Sequence, residues 1–372
     1  MYDIIIALIY RCNTEKERCV KMKTVKKIAA IFMLCVMLVS ICIISSSASE
    51  NSFNVSMMNF NVAGLPTFDG TDSAGNHKKI AEYIVANNFD IVAVQEDFAY
   101  NKSLVSNLTG YEYKTNHSGS IPGGDGLNIF TDGMPLYNET RVQWNDSFGD
   151  IAEGDILTPK GIIYAVIEVA EGVYIDFYNI HADAFDTEGS IAARESNYTQ
   201  LMRMVEANSA KNNRPVIITG DFNHFLHATA AENSNMYSIF HEKGGFKDAW
   251  VEIHNNGDYF DFASWVAEGT FYWGEWDSVE KFLYRDGGGV TVEPVDFRYS
   301  WVTNDAGERV SDHASAECVF EFTVTEDFVA NTQELTVVEQ SPLRNFFNTI
   351  KWIIKDLIYF FSHMEELIAF LG

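Results

Sequence analysis

Between residues 53 and 323, short apolar runs alternate with stretches whose apolar residues recur at helical spacing. Runs rich in Val, Ile, Phe and Tyr predict strands at 53–62, 90–95, 127–130, 162–169, 173–180, 215–220 and 314–323. Helices are predicted at 77–87, with Ile80, Ile84 and Val85 on one face, and at 191–209, with Ile191, Tyr198, Leu201, Met202 and Val205. The strands are too apolar for either face to meet water, so helices or a second sheet must cover them, which makes the class α/β. The span is long enough for one such domain. Residues 324–341 are polar and acidic and read as a linker. Beyond them, in 342–372, Phe346, Ile350, Ile353, Leu357, Phe360, Met364, Leu367 and Leu371 recur at alternating spacings of four and three. That pattern predicts an amphipathic helix, and Lys351, Lys355, Asp356, Glu365 and Glu366 argue against a membrane span.

The N-terminus differs from the rest. Lys23, Lys26 and Lys27 precede an uncharged apolar run from Ile28 to Ile44, and Ser46-Ser47-Ala48 supplies small residues for cleavage. Residues 1–48 are therefore expected to be an N-terminal extension and signal peptide, with an uncleaved anchor as the alternative and Met22 as a candidate start. The protein is expected outside the cell, either secreted or anchored and facing outward. Four of the five cysteines lie in this segment, so Cys318 alone cannot build a disulfide framework or a cysteine-rich zinc site. The chain carries 26 Lys and Arg against 52 Asp and Glu, a net charge of −26, and the body without its first 48 residues stands at −30. A field of that sign attracts cations and opposes nonspecific binding to nucleic acid.

Five segments place polar side chains at or just after the ends of apolar strands: Asn59-Phe60-Asn61, Val94-Gln95-Glu96-Asp97, Asn179-Ile180-His181, Gly220-Asp221-Phe222-Asn223 and Ser311-Asp312-His313. Each has an ordinary explanation taken singly. Asn61 suits a turn, Glu96 a helix cap, Asp221 and Asn223 an Asx turn, and either histidine a strand end. Together they supply carboxylate, amide and imidazole groups that suit a hard divalent cation and a phosphate.

In this order the five segments resemble those of the endonuclease/exonuclease/phosphatase superfamily over about residues 55–320. The resemblance implies a four-layer α/β sandwich: two packed, mostly antiparallel sheets flanked by helices. It implies Mg²⁺, with Mn²⁺ or Ca²⁺ as alternatives, held by Asn61 and Glu96. His181 would contact the scissile phosphate, Asp221 and Asn223 would orient water and phosphate, and Asp312 and His313 would form the Ser-Asp-His ending whose histidine moves protons. The carboxylate that orients His313 aligns with Glu280, and Asp277 is the alternative. Two departures stand out: Ala63 where nucleases of the family often carry Asp, and Glu where the orienting residue is usually Asp. Lys160-Gly161 before the strand at 162–169 is similar to an element of the sphingomyelinase-like and phosphatase branch, in which Lys160 would meet a substrate phosphate oxygen.

The expected activity is metal-dependent hydrolysis of a phosphoric ester. A phosphodiesterase of the sphingomyelinase-like type, acting on a phospholipid headgroup, heads the readings, with membrane-surface contact through 343–371. A secreted nuclease is the rival, disfavoured by the negative charge. A non-enzymatic surface-binding module would be expected to have lost Glu96, Asp221 or His313.

Overall fold

The computed structural model describes residues 52–66, 71–121, 124–146, 160–226, 235–259, 277–329, 335–362 and 364. The expected signal segment and residues 365–372 of the expected C-terminal helix lie outside them.

Two six-stranded sheets form the body. The first runs β11-β12-β1-β2-β4-β3, where β1 is Ser52–Asn61, β2 Ile91–Gln95, β3 Tyr113–Lys114, β4 Asn128–Thr131, β11 Val290–Ser300 and β12 Ser315–Val324. The second runs β5-β6-β7-β8-β10-β9, where β5 is Leu136–Gln143, β6 Gly161–Ala170, β7 Val173–His181, β8 Val216–Asp221, β9 Lys247–Asp248 and β10 Glu280–Arg285. Every pairing is antiparallel except β1 with β2 and β7 with β8. Those two parallel pairs are crossed over by helices, α1 (Ser73–Asn87) and α3 (Glu188–Asn212). A parallel connection needs such a crossover, and the carboxyl ends of the strands it joins open onto a common crevice.

The layers follow from strand alternation. Val55 and Met57 of β1 face inward with Ile163, Ala165, Ile175 and Phe177 of the other sheet, making the inter-sheet core. Met58 and Phe60 face out onto Ile80, Ala81 and Ile84 of α1. Tyr178 and Ile180 of β7 face out onto Tyr198, Leu201 and Val205 of α3. Both faces of each central strand are therefore buried, as continuous apolar runs require. Cys318 sits in the inter-sheet core, where burial pushes its thiol well up, so it behaves as a small hydrophobe.

Helix ends follow local chemistry. The Asp72 side chain accepts from Gly75 N at 3.0 Å, so α1 starts four residues before the expected position. Asn88 and Asn213, both left-handed, end α1 and α3. Further elements had weak sequence signals: α2 (Asn101–Asn107), α4 (Ala249–His254), a π-helical turn at Tyr237–Lys243 and several strands. Strand β10 reads as polar because Glu280, Lys281 and Arg285 fall within it, yet Glu280 and Lys281 are buried. In β11, Pro294 sits at a register shift, where the proline's missing N–H is tolerated.

The acidic stretch before the last helix is attached to the body. Val338 N donates to Leu136 O at 2.9 Å and Asn138 N to Thr336 O at 2.9 Å, which lays this stretch along β5. Helix α5 (Pro342–Ser362) follows. Among the described residues, no helix is long and apolar enough to cross a membrane.

Candidate active site

The two parallel pairs bring four of the expected residues to one place. Asn61 ends β1, Glu96 directly follows β2, His181 ends β7 and Asp221 ends β8. Asn61 is the hub: its Nδ2 lies 3.1 Å from Glu96 Oε1, 3.1 Å from Asp221 Oδ2 and 3.4 Å from His313 Nε2. Its Oδ1 accepts from Ala63 N at 3.1 Å. His181 Nε2 is 3.4 Å from Asp221 Oδ2. Asn223 N donates to Asp221 Oδ1 at 2.9 Å, and its Nδ2 donates to Ala182 O at 3.0 Å.

His313 is held from its other nitrogen. Nδ1 hydrogen-bonds Glu280 Oε1, Ser278 Oγ donates to Glu280 Oε2, and Tyr299 OH donates to Glu280 O at 3.2 Å. Asp277 is turned away and pairs with buried Lys281 at 3.6 Å, so Glu280 rather than Asp277 is the carboxylate on His313. Ser311 Oγ donates to Asn61 O at 2.7 Å, tying the last segment to the first. Asp312 is exposed beside the cluster, and Lys160, just before β6, is buried.

Backbone strain gathers here. Ala63, Glu96 and Asn223 all have positive φ, at 48°, 55° and 50°, a conformation that costs a non-glycine residue of order 1–3 kcal/mol. Two glycines are sterically required. A Cβ on Gly64 would lie 2.2 Å from Glu96 O, and one on Gly220, whose φ is 143°, would lie 2.1 Å from Ile180 O.

The electrostatics divide the carboxylates. Burial raises the Glu96 carboxyl, outweighing Asn61's hydrogen bond and the nearby charges of His313 and Lys160. Burial also works to raise Asp221, but His181 and His313 overcome it and hold Asp221 low. For His313, burial opposes the charged ring, yet Glu280 and then Asp221 and Asp312 push it up to about 10. Asp221, Glu280 and His313 form an acidic and histidine cluster with ligand atoms within 4.8 Å. Glu280 is engaged by His313 and Ser278, so these three could pass a proton as well as hold an ion. The half-buried Glu96 carboxylate, beside the Asn61 amide and exposed Asp312, could instead supply oxygen donors to a hard cation.

A buried amide network underlies the cluster, with a role the sequence did not disclose. Gln95 Nε2 donates to Asn59 Oδ1 and Asn179 Oδ1, both at 2.7 Å. Asn59 Nδ2 donates to Gly220 O at 2.8 Å, and Asn179 Nδ2 to Val94 O at 2.9 Å and Asn128 O at 3.0 Å. All but the Gln95–Asn59 bond cross between the sheets, and together they fix the strand ends that carry Glu96, His181 and Asp221. The visible signal was an amide in three neighbouring strands, each within two residues of a site residue. Gln95→Ala should strand two buried acceptors at about 1–3 kcal/mol each, lowering unfolding free energy by about 3 kcal/mol in urea titration. A loss under about 1 kcal/mol would deny the network that role.

Comparison with known proteins agrees with this geometry. A model of the "Endonuclease/Exonuclease/phosphatase family" matches residues 58–313. Sphingomyelinases of Mycobacterium bovis and Mycobacterium tuberculosis are 29% identical over 284 residues, covering 73% of this chain. The match takes in 53% of those proteins, so the chain spans about half the length of the curated relatives it matches. Among solved structures, an endonuclease/exonuclease/phosphatase family protein from Bacteroides thetaiotaomicron superposes with a TM-score of 0.53 at 17% identity, covering 76% of this chain and 99% of that one. Sphingomyelinase C from Streptomyces griseocarneus superposes at 0.51 with 18% identity, covering 72% and 99%. At such identities the solved structures speak for the fold alone.

Proposed function

The chain belongs to the endonuclease/exonuclease/phosphatase family, and from that footing we propose that it is a metal-dependent phosphodiesterase of the sphingomyelinase type, cleaving a phospholipid headgroup. The Asn61 hub carries this reading: one amide touches the cation-type carboxylate Glu96, the water-orienting Asp221 and the proton-handling His313. The curated sphingomyelinase relatives support the lipid substrate.

Glu96 and Asn61 would hold Mg²⁺, which when bound supplies positive charge against the phosphoryl oxygens. The chain's own residues do the rest. Asp221, positioned by the Asn223 backbone and the Asn61 amide, accepts a hydrogen bond from the attacking water and aims it in line with the leaving oxygen. His181 donates to a non-bridging phosphoryl oxygen, and Lys160, near enough to act on Glu96 and Asp221, adds positive charge. With Nδ1 committed to Glu280, His313 exchanges protons through Nε2: in its neutral form the ring takes the water's proton, and the imidazolium so formed gives it to the leaving oxygen as the P–O bond breaks. Export is part of the same proposal, supported by the basic segment and apolar run of residues 23–44.

The deciding experiment incubates the protein with Mg²⁺ and, separately, sphingomyelin, plasmid DNA and inositol phosphates. Release of phosphocholine from sphingomyelin, lost with chelator, is the expected outcome. DNA nicking without lipid hydrolysis would transfer the protein to the nuclease reading.

A further inference from the structure

Helix α5 docks on the body by its narrow side. Trp352 is 6% exposed, and Thr349 Oγ1 donates to Ser118 O at 2.6 Å. At 3.6 residues per turn, Phe346, Phe347, Ile354, Leu357, Ile358 and Phe361 span an arc of about 120° centred opposite Trp352. All six are exposed, from 50% to 64%. A surface helix normally turns such an arc into the protein; this one turns it out.

Its place in the fold relates that face to the chemistry. The loop that receives Thr349 also carries His117, whose Nε2 lies 2.8 Å from Asp97 O, and Asp97 adjoins Glu96. On the other sheet, four residues past His181, Phe185 is 46% exposed with φ at 68°. Its carbonyl accepts from Arg194 Nη1 at 2.6 Å, so the backbone is held there despite the strain. The helix is thus tied to the segment that follows Glu96, and Phe185 follows His181 on the other sheet.

Charge selects the occupant. The helix has three basic residues and one acidic residue in a chain of net charge −26. Lys351, exposed and next to the apolar face, stands where a cation meets the phosphate level of a bilayer. The −30 of the body opposes bringing two copies together and repels strongly anionic lipid. We propose that the outward face of α5, with Phe185, seats on a zwitterionic phospholipid surface and presents the strand-end site to it. The binding itself does not depend on catalysis, so it stands apart from the phosphodiesterase reading.

The test adds phosphatidylcholine vesicles to the full chain and follows hydrogen exchange through 343–361, a readout local to the helix and unaffected by whatever residues 1–51 do. Exchange should slow at least tenfold. In Phe346→Ser/Ile354→Ser/Phe361→Ser the slowing should vanish, while hydrolysis of soluble bis(p-nitrophenyl) phosphate and thermal unfolding stay as in the parent. Phe185→Ser should weaken vesicle affinity several-fold with α5 intact. Exchange unchanged by vesicles would overturn the proposal. So would equal slowing on raising protein concentration without lipid, which would make the face a contact between copies. Vesicle binding with no hydrolysis of any phosphodiester would keep this proposal and defeat the catalytic one.

Discussion

His313→Ala is expected to lower turnover of bis(p-nitrophenyl) phosphate by more than ~10², because positioned proton transfer contributes ~10²–10⁴. The loss should fall in kcat, since the ring acts on the water and leaving oxygen in the transition state and contributes less to ground-state binding. Glu280→Ala should cost less, as Glu280 orients and charges the ring without touching the reacting atoms. Asp277→Asn should behave differently again. It breaks a buried pair with Lys281, so the unfolding midpoint should drop while kcat per folded molecule is little changed. Initial rates normalised to the folded fraction separate the three. Should Asp277→Asn reduce kcat more than Glu280→Ala, the carboxylate on His313 would be misassigned.

Glu96→Gln should abolish Mg²⁺-dependent turnover at any practical cation concentration. The amide keeps the size and a hydrogen bond to Asn61 but removes the anionic oxygen that a hard cation requires. Burial already raises this carboxyl, so the neutral side chain should be no less stable in place, and the variant should unfold at or slightly above the parent's temperature. Calorimetric Mg²⁺ titration should show the binding isotherm disappear together with activity. Near-parental rates at saturating Mg²⁺ would remove Glu96 from the metal site.

The sequence by itself determined the central strands, the two crossover helices and the residue types at the strand ends, because each is written in local periodicity. Asn61, Glu96, His181 and Asp221 were legible for the same reason: a polar residue closing an apolar strand has few places to be except the strand's end. The resemblance of the five segments supplied their expected roles. Tertiary structure decided what local pattern does not carry. Strand β10 was hidden because Glu280 and Lys281 are charged yet buried, which is tolerable only with His313, from a distant part of the chain, and Asp277, four residues before Lys281, as partners. The choice of Glu280 over Asp277 turned on which carboxylate faces His313 across the crevice, and three positions of sequence offset say nothing of that. The link of Gln95 to Asn179 needed the two sheets to be packed together. The amphipathic pattern of α5 was plain in sequence, but which part of the helix turns outward was fixed by the burial of Trp352 and by Thr349 finding Ser118 across more than two hundred residues of chain.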